Sequence, residues 1–313
     1  MLSRTADNLY WLARYIERAD YLARVLQAAQ RLSAMPSAYV GASNEWESAV
    51  ATAGCTKAFY ENYEEANETN VTNFLAFSAD NPSSIRNCFE TARTNARAVR
   101  IALTGAMWDA INGAWLELQR YGNGATSREN NAHFLRWVQD ASSLFDGAAY
   151  RTMLRSDSYW FSRLGVHIER ADNTARILDV KYHLLLPAAE RVGGALDYFQ
   201  WSAILRSVNA QTSYHWVYRE NIKPWLVADL LILNEQMPRS MAACYANLVQ
   251  NLDRISMAYG RAGPSQRRAR AIRTRFQNSR MDEIFSSGLH EFIEDFIAEN
   301  NALGGDITRQ YLL

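Results

Sequence analysis

The chain has few cysteines and no excess of charge of either sign. Only Cys55, Cys88 and Cys244 are present among 313 residues, and no two of them form a CxxC pair. A sparse, odd-numbered set argues against a disulfide framework and is typical of reduced thiols in a cytoplasmic protein. Lys and Arg together number 33, as do Asp and Glu, so the formal net charge is zero. The chain therefore lacks the broad positive field that attracts nucleic acid or an anionic membrane, and we expect neither as a partner.

Long apolar runs are also missing. The longest, at residues 225–233, is interrupted by Asp229 and is far too short to span a bilayer. The first residues include Arg4 and Asp7 and contain no apolar segment typical of a signal peptide. Apolar residues make up 48% of the chain and charged residues 21%, as in ordinary globular proteins. We therefore expect a cytoplasmic globular protein.

Familiar catalytic motifs are absent from the sequence, which contains no Walker A, GxGxxG, GxSxG or HExxH stretch. A ferritin-like di-iron site needs Glu-x-x-His, and no histidine here has an acidic residue three positions before it. Asp179 and His183 stand at i,i+4, which alone is a weak metal signal. Cys55 could act as a nucleophile only beside a histidine, and buried structural thiols are the commoner outcome. We predict no metal site and no cofactor, and we favour a function that is not catalytic.

The chain does contain a repeat. The pentapeptide IERAD occurs at residues 16–20 and again, 152 residues later, at 168–172. Between residues 12 and 26, nine of fifteen positions are identical in the second copy. A further block, FLAFSADNPSSIRNCF at 74–89, aligns with LLILNEQMPRSMAACY at 230–245 and matches its proline, one serine and its cysteine. Matches in the same order along the chain indicate a duplicated architecture.

Helical periodicity predicts the fold class. Around the first IERAD, apolar residues such as Leu12, Ile16 and Ala19 recur in steps of three and four, and the second copy has the same spacing. No segment shows the period-2 alternation of a β-strand. We predict an all-α fold of two tandem, structurally similar helical bundles packed as one body. The turn-rich YGNGATS segment at 121–127 suggests a first repeat at 1–125 and a second at 126–260, followed by a C-terminal basic loop and closing helix at 261–313.

The pattern also predicts the individual elements. Each of Pro82, Pro224 and Pro238 is expected at the first position of a helix, where no backbone donor is needed, with Asn81 as an N-cap. GRAGPSQ, at 260–266, is expected to be a loop. Further helices are predicted at about 3–33, 44–62, 71–79, 105–121, 196–219 and 281–301, with another resuming near 128 and one through the second IERAD copy.

The charged residues of the two IERAD helices form the candidate site. On a helical wheel, Glu17 and Arg18 lie roughly 130° from the centre of the apolar stripe, so core packing on that stripe does not explain their repetition. One explanation is that they pair with Arg170 and Glu169 across a pseudo-two-fold axis or with their own bundle. The other is a groove that holds a ligand or a partner's peptide. The candidate residues are Glu17, Arg18, Asp20, Arg24, Glu169, Arg170, Asp172 and Arg176, in which Asp20–Arg24 and Asp172–Arg176 have favourable i,i+4 spacing.

A basic cluster lies nearer the C-terminus, with seven arginines between residues 261 and 280. One interpretation is a solvated loop and helix, and the other is a docking surface for an acidic partner. Nucleic acid is a weaker interpretation, because the rest of the chain supplies no matching positive field. The candidate docking residues are Arg267, Arg268, Arg270, Arg273 and Arg275.

The opening MLSRTADNLYWLARYIERADYLARVL, at residues 1–26, closely resembles the start of the bacterial alpha-E proteins. These are helical proteins named for a Glu-Arg motif and are typically tandem duplications. EIFSSGLHEFIEDF, at 283–296, resembles the family's C-terminal helix, so the resemblance covers nearly the whole chain. Arg14 departs from the repeat, because Val166 stands at the corresponding position and Arg14 cannot belong to a symmetric site.

The resemblance implies a biological setting. Alpha-E proteins are associated by gene neighbourhood with circularly permuted ATP-grasp ligases, transglutaminase-like proteins and a proteasome-like NTN-hydrolase. We therefore expect a non-catalytic component of a bacterial peptide synthesis or modification system, acting as partner or scaffold for an ATP-grasp type ligase. The alternative is an enzyme or peptide-binding protein whose groove is lined by the two Glu-Arg pairs. The segment YHWVYRENIKPW, at 214–225, is rich in residues that interfaces favour, and the oligomeric state stays open.

Overall fold

A computed structural model of the protein describes residues 1–34, 44–122, 128–183 and 194–313. Within these ranges the chain contains no β-strand, and the prediction of an all-α fold is confirmed. Short 3₁₀ turns lie at Arg100–Ala102 and Gln119–Tyr121, and π-helical turns at Asn73–Phe77 and Thr308–Leu312. The described residues form fifteen α-helices: α1 Ser3–Ser33, α2 Glu45–Thr52, α3 Thr56–Tyr60, α4 Glu68–Thr72, α5 Ile85–Ala98, α6 Gly105–Leu118, α7 Arg128–Thr152, α8 Asp157–His183, α9 Ala195–Ser207, α10 Gln211–Tyr218, α11 Pro224–Ile232, α12 Met241–Tyr259, α13 Pro264–Asn278, α14 Met281–Ser287 and α15 Leu289–Ile307.

Helices α1 and α8, which carry the two IERAD copies, pack directly against each other and form the centre of the core. Their apolar residues at steps of three and four are buried, as the periodicity predicted. Gly165 of α8 lies against the backbone of α1: a Cβ atom there would be 2.2 Å from the carbonyl oxygen of Tyr10. The close approach of the two helices therefore depends on a residue without a side chain.

The neighbours of α1 and α8 follow the same order. Helix α1 packs against α5 and α7, and α6 packs against both of those; α8 packs against α12 and α15, and α13 packs against both of those. Two hydrogen bonds repeat the pattern: Ser142 of α7 donates to the carbonyl of Ile16 at 3.4 Å, and Asn300 of α15 donates to that of Ile168 at 3.2 Å. Each IERAD helix thus has a similar set of neighbours.

The predicted boundary between residues 125 and 126 lies outside the described residues and stays a prediction. Most contacts of α7 are with α1 and α6, which precede that boundary in the chain, although Asp146 of α7 also pairs with Arg163 of α8. A division made by contacts would therefore place α7 with the first set of helices and begin the second set at α8. It would also place α13 and α15 with α8 and α12 instead of in a separate C-terminal segment.

Three predicted helices are interrupted. The helix expected at 44–62 is divided into α2 and α3 beside Gly54, which has a φ of 69°. The helix expected at 196–219 is divided into α9 and α10 beside Asn209, with a φ of 56°, and the last helix breaks at Gly288, with a φ of 104°. A residue with positive φ leaves the right-handed helical region, so the hydrogen-bond ladder ends there. The helix expected at 71–79 is instead α4 followed by a π-helical turn.

Of the three prolines expected at the start of a helix, Pro224 lies in the first turn of its helix and the other two precede theirs. Pro224 is at the first turn of α11, as predicted, but α5 and α12 begin three residues after Pro82 and Pro238. Their caps are Ser84 and Ser240, whose hydroxyls accept from the amides three residues on, at 3.2 Å and 3.0 Å. Asn81 is not the N-cap: its side-chain oxygen accepts from the Ser83 amide at 3.0 Å and forms a turn before the helix.

The basic C-terminal segment is a helix and not the predicted loop. Helix α13 begins at Pro264, inside the segment expected to be a loop, and runs through all five candidate docking arginines to Asn278. Gln266 fixes its start, because its side-chain oxygen accepts from the Gly263 amide at 2.8 Å. The buried face of α13, including Ile272 and Phe276, joins the common core.

Candidate functional site

The charged residues of the two IERAD copies lie inside the protein. Glu17, Asp20, Arg24 and Glu169 are buried, and the other four candidate residues are partly buried. Removing a charge from water is costly unless an opposite charge and hydrogen bonds compensate it. The partners of these residues therefore determine whether the motif is structural or free to bind a ligand.

The two Glu-Arg pairs bind each other across the α1–α8 contact. Arg18 donates through Nε to Oε1 of Glu169 at 2.7 Å and through Nη2 to Oε2 at 3.3 Å. In the reciprocal pair, Arg170 donates through Nε to Oε2 of Glu17 at 3.1 Å and through Nη2 to Oε1. Both are two-point contacts between a guanidinium and a carboxylate, which is the strong form of this interaction. Of the two explanations that the sequence left open, the structure shows the cross-pairing of the two copies.

The pairs within each helix are also present. Arg24 donates to Asp20 at 2.8 Å, and Arg176 donates to Asp172 at 2.7 Å, both with the predicted i,i+4 spacing. Arg24 additionally donates through Nη1 to the backbone carbonyl of Ser207 at 2.9 Å, which ties α1 to the end of α9. These bonds compensate part of the cost of taking the charges out of water, although Oδ1 of Asp20 and Oδ1 of Asp172 accept no hydrogen bond from the described residues.

Glu169 receives a further arginine that the repeat does not predict. Nε of Arg14 donates to Oε2 of Glu169 at 2.7 Å, and the guanidinium lies 4.5 Å from the Trp11 ring centroid. Burial alone would raise the pKa of Glu169, but Arg14 and Arg18 outweigh burial and lower the pKa to about 2. Glu169 is therefore ionised at neutral pH.

Arg239 is the corresponding extra arginine beside the other pair, and it was not among the candidate residues. Its Nη2 donates to Oδ2 of Asp20 at 2.9 Å, and its Nη1 lies 3.9 Å from Oε2 of Glu17. Burial raises the pKa of Asp20, but Arg239 and Arg24 reverse this effect and lower it. The sequence held one signal for this residue: in the aligned proline blocks, Arg239 stands opposite Ser83.

A pocket lies beside the Arg18–Glu169 pair, where Ser83 stands opposite Arg239 of the other copy. The pocket has a volume of about 240 Å³, and its lining includes Arg18, Ser83, Glu169, Asp172 and Arg176. The side chains of Asp172 and Arg176 are 15% and 28% exposed, whereas those of Asp20 and Arg24 are 4% and 5% exposed. Glu17 and Arg170 are not part of this lining. This pocket thus borders one of the two Glu-Arg pairs, Arg18–Glu169.

The two repeated cysteines lie beneath the charged pairs and are protonated. Burial raises the pKa of both Cys88 and Cys244 to about 12, although Arg18 and Arg170, respectively, act in the opposite direction. Burial also raises the pKa of the half-buried Cys55 to about 12. A thiol with so high a pKa is a poor nucleophile at neutral pH.

Asp179 pairs with a histidine other than the one suggested by its spacing. Its Oδ1 lies 2.6 Å from Nδ1 of His290 on α15, while the side chain of His183 lies outside the described residues. Burial lowers the pKa of His290, but the bond and charge of Asp179 outweigh burial and raise it. In the described part of the chain, no three His, Cys, Asp or Glu side chains are grouped closely enough to hold a metal ion. None of the helices in that part is both long and apolar enough to cross a membrane.

The candidate docking arginines of α13 are largely paired within the chain. Arg268 donates to Asp306 at 2.6 Å, Arg270 donates to Asp253 at 2.6 Å, and Arg275 lies 2.8 Å from Glu299. Arg273 lies 3.9 Å from Glu235, and Arg267 is exposed. The intramolecular carboxylates reduce the positive field that an acidic partner would meet. Docking of an acidic partner on α13 stays a prediction.

Comparison with known proteins places these observations in a family context. The model of the Alpha-E family, described as "A predicted alpha-helical domain with a conserved ER motif", matches residues 1–312. No curated protein and no solved structure matches the chain. The Glu-Arg pair in that description is present here at residues 17–18 and 169–170, where the two copies bind each other.

Proposed function

Because the chain belongs to the Alpha-E family, we propose that it is a non-catalytic helical component of a bacterial peptide synthesis or modification system. In this proposal it acts as a partner or scaffold for an ATP-grasp type ligase. The reciprocal Glu-Arg pairing supports a structural role for the motif, because each carboxylate is bound by the arginine of the other IERAD helix. The motif then holds the helices in place, and a separate surface binds the partner.

Exposed aromatic residues on α10 and α11 carry this proposal. Trp216 is 80% exposed and Trp225 is 49% exposed, and Val217 beside Trp216 is 46% exposed. Trp216 and Val217 border a cleft of about 230 Å³ whose wall includes Leu230 and Met237. Tryptophan is among the residues that contribute most to protein interfaces, especially beside a cleft that can receive a partner's side chain. Helices α10 and α11 contact each other, and we call Trp216 and Val217 of α10 together with Trp225 of α11 the α10–α11 face.

The connection between α10 and α11 is held rigidly. The hydroxyl of Tyr214 donates to the carbonyl of Asn221 at 2.8 Å and accepts from the amide of Lys223 at 3.0 Å. Arg219, at the end of α10, adopts a left-handed conformation with a φ of 52°, which turns the chain towards α11. A face that is already ordered loses little conformational entropy when a partner binds.

The proposal is tested by measuring binding between this protein and the ATP-grasp protein of the same system. Trp216→Ala and Trp225→Ala should each weaken binding about thirtyfold in calorimetry, because truncating a central interface tryptophan costs roughly 2 kcal/mol. Met257→Ala is a matched control: Met257 is 81% exposed but lies on α12, away from the two tryptophans in the chain. Absence of a complex would refute the proposed partner. A complex that is unaffected by both tryptophan variants would refute the α10–α11 face.

A further inference from the structure

The pocket beside the Arg18–Glu169 pair results from two sequence differences between the IERAD surroundings. Position 83 is serine where its counterpart, position 239, is arginine, and position 14 is arginine where its counterpart, position 166, is valine. Arg239 lies against Asp20, whereas Arg14 binds Glu169 from α1 itself. Each pair therefore has one additional arginine, but the two arginines come from different parts of the fold. Beside Arg18–Glu169, the place that an arginine at position 83 could take is left as a pocket.

The charges around the pocket are not fully compensated. Among the residues that line the pocket, Arg18 and Arg176 balance Glu169 and Asp172. Arg14, which binds Glu169 from outside the lining, adds a third positive charge to the cluster. Glu169 is ionised, because its two arginines hold its pKa at about 2. The cluster thus has a formal charge of +1 before any ligand binds. A group that lowers this charge is favoured electrostatically in a partly buried site.

The pocket also contains donors that the carboxylates do not occupy. Arg18 uses Nε and Nη2 for Glu169, while its Nη1 lies 3.3 Å from the Ser83 hydroxyl. Arg176 uses Nε for Asp172, and within the described part of the chain this is the one hydrogen bond that its guanidinium donates. Two guanidinium groups and a hydroxyl around one small space are a donor set suited to an oxyanion.

We propose that this pocket binds a small oxyanion carrying one negative charge, namely a carboxylate, through Arg18, Arg176 and Ser83. The volume of about 240 Å³ lies below the roughly 300–1,000 Å³ of sites for drug-sized ligands, so it suits a small acid or the C-terminus of a peptide. The acidic wall formed by Glu169 and Asp172 opposes a ligand with several negative charges. Inorganic phosphate presents similar oxygen acceptors and is the alternative ligand.

The neighbouring pair argues against a cation as the ligand. The guanidinium of Arg239 is a cation that lies beside Asp20. Burial, together with the charges of Arg24 and Arg170, nevertheless lowers the pKa of Arg239 despite its contact with Asp20. A cationic ligand in the open pocket would meet the equivalent residues Arg176 and Arg18 beside Glu169 and Asp172. Arg14, bound to Glu169 from outside the lining, would add a repulsion that has no counterpart at position 166.

Substitutions at position 83 test the sign of the favoured charge without a ligand. The length of Arg239 at the corresponding position indicates that a long side chain fits there. Ser83→Glu should melt roughly 2–4 °C above the neutral Ser83→Gln, the shift expected when a charge-assisted hydrogen bond forms in a protein of this size. Ser83→Arg should melt at or below Ser83→Gln. A higher melting temperature for Ser83→Arg than for Ser83→Glu would overturn the proposal, because it would assign the pocket to a cation.

Ligand binding is then measured directly. At constant ionic strength, acetate, succinate, a tripeptide with a free C-terminus, its amidated form and inorganic phosphate are titrated into the protein. A binding carboxylate should raise the melting temperature by about 2 °C at tenfold its Kd, and the amidated peptide should not. A response to phosphate alone would overturn the assignment to a carboxylate, and no response to any anion would overturn the site.

Two variants show whether the response belongs to this pocket. Ser83→Glu and Arg176→Gln should abolish it, whereas Arg120→Gln, which removes an exposed arginine paired with Glu117, should not. An unchanged response in Ser83→Glu would place anion binding elsewhere and refute the proposal. The pocket does not include the α10–α11 face, so its failure and the failure of partner binding are separate results.

Discussion

Removing the carboxylate of Glu169 is the most direct test of the charged motif. Glu169→Ala leaves the guanidinium groups of Arg14 and Arg18 inside the protein without the carboxylate that both of them bind. Their side chains are 17% and 23% exposed, so water replaces the lost partner only in part. Breaking a buried ion pair by removing one member costs about 3–5 kcal/mol.

The pKa of Glu169 gives an independent magnitude. It falls from 4.5 to about 2 in the folded protein, and a shift of that size corresponds to roughly 3 kcal/mol of stabilisation. For a chain of 313 residues, an unfolding entropy of about 2.1 cal/mol/K per residue converts 3–5 kcal/mol into a melting temperature roughly 5–8 °C lower. Calorimetry at pH 7 measures this difference.

The pH dependence has a definite sign. Because the folded pKa lies below the unfolded value of 4.5, the stabilisation by Glu169 is present above that pH and is lost as the pH falls towards 2. The stability difference between the wild type and Glu169→Ala should therefore narrow between pH 5 and pH 2 in urea denaturation. This separates loss of a charge pair from loss of packing, which would give a difference independent of pH.

The control is Glu117→Ala, which removes a pair in which the Arg120 side chain is 76% exposed. An exposed pair contributes at most about 1 kcal/mol, so the melting temperature should change little. If Glu169→Ala melts within 2 °C of the wild type at pH 7, the buried motif does not stabilise the fold and the reasoning fails. If the stability difference is as large at pH 2.5 as at pH 7, the cause is not the charge of Glu169.

Three further predictions concern other parts of the fold. Gly165→Ala should destabilise the protein by about 1–3 kcal/mol, because the added methyl group overpacks the α1–α8 contact. Gly113→Ala, with open space around it, should stabilise the protein by about 0.5–1 kcal/mol, and urea midpoints equal to that of the wild type would contradict both expectations. Cys88 and Cys244 should react with a thiol reagent at pH 8 only after unfolding, and rapid labelling of the native protein would show that their burial is wrong. Tyr214→Phe should cost about 1–2 kcal/mol, because two hydrogen bonds that hold the α10–α11 connection are lost; an unchanged urea midpoint would show that they contribute nothing.

Periodicity predicted the helices well but not their interruptions. A step of three and four residues reports which face is buried, so α1 could be predicted from Ser3 to Ser33 without a structure. The breaks at Gly54 and Asn209 depend on a positive φ, which the neighbouring packing selects and residue type alone does not fix. Serine capping of α5 and α12 was less visible in the sequence than the prolines, which stand two residues before each serine.

The site was predictable in composition and only partly in geometry. A helical wheel gives the direction of Glu17 but not the partner helix, so cross-pairing could be stated only as one of two explanations. The pocket depended on comparing the aligned blocks position by position, where Ser83 faces Arg239. The sequence also indicated where the second copy begins. Met153 and Leu154 precede it as Met1 and Leu2 precede the first copy, so α7, which ends at Thr152, comes before the second copy.

The reciprocal contact between α1 and α8 has the form of an isologous dimer interface contained in one polypeptide. In a two-fold dimer, residue i of one subunit contacts residue j of the other and the reverse contact follows by symmetry, as with Glu17–Arg170 and Glu169–Arg18 here. Residues 153–156 connect α7 to α8 and make the association intramolecular, so its effective concentration no longer depends on expression level. Covalent fusion also frees the two copies from sequence identity. A homodimer would have to carry the same residue at both equivalent positions, whereas this chain can keep Arg239 at one position and Ser83 at the other.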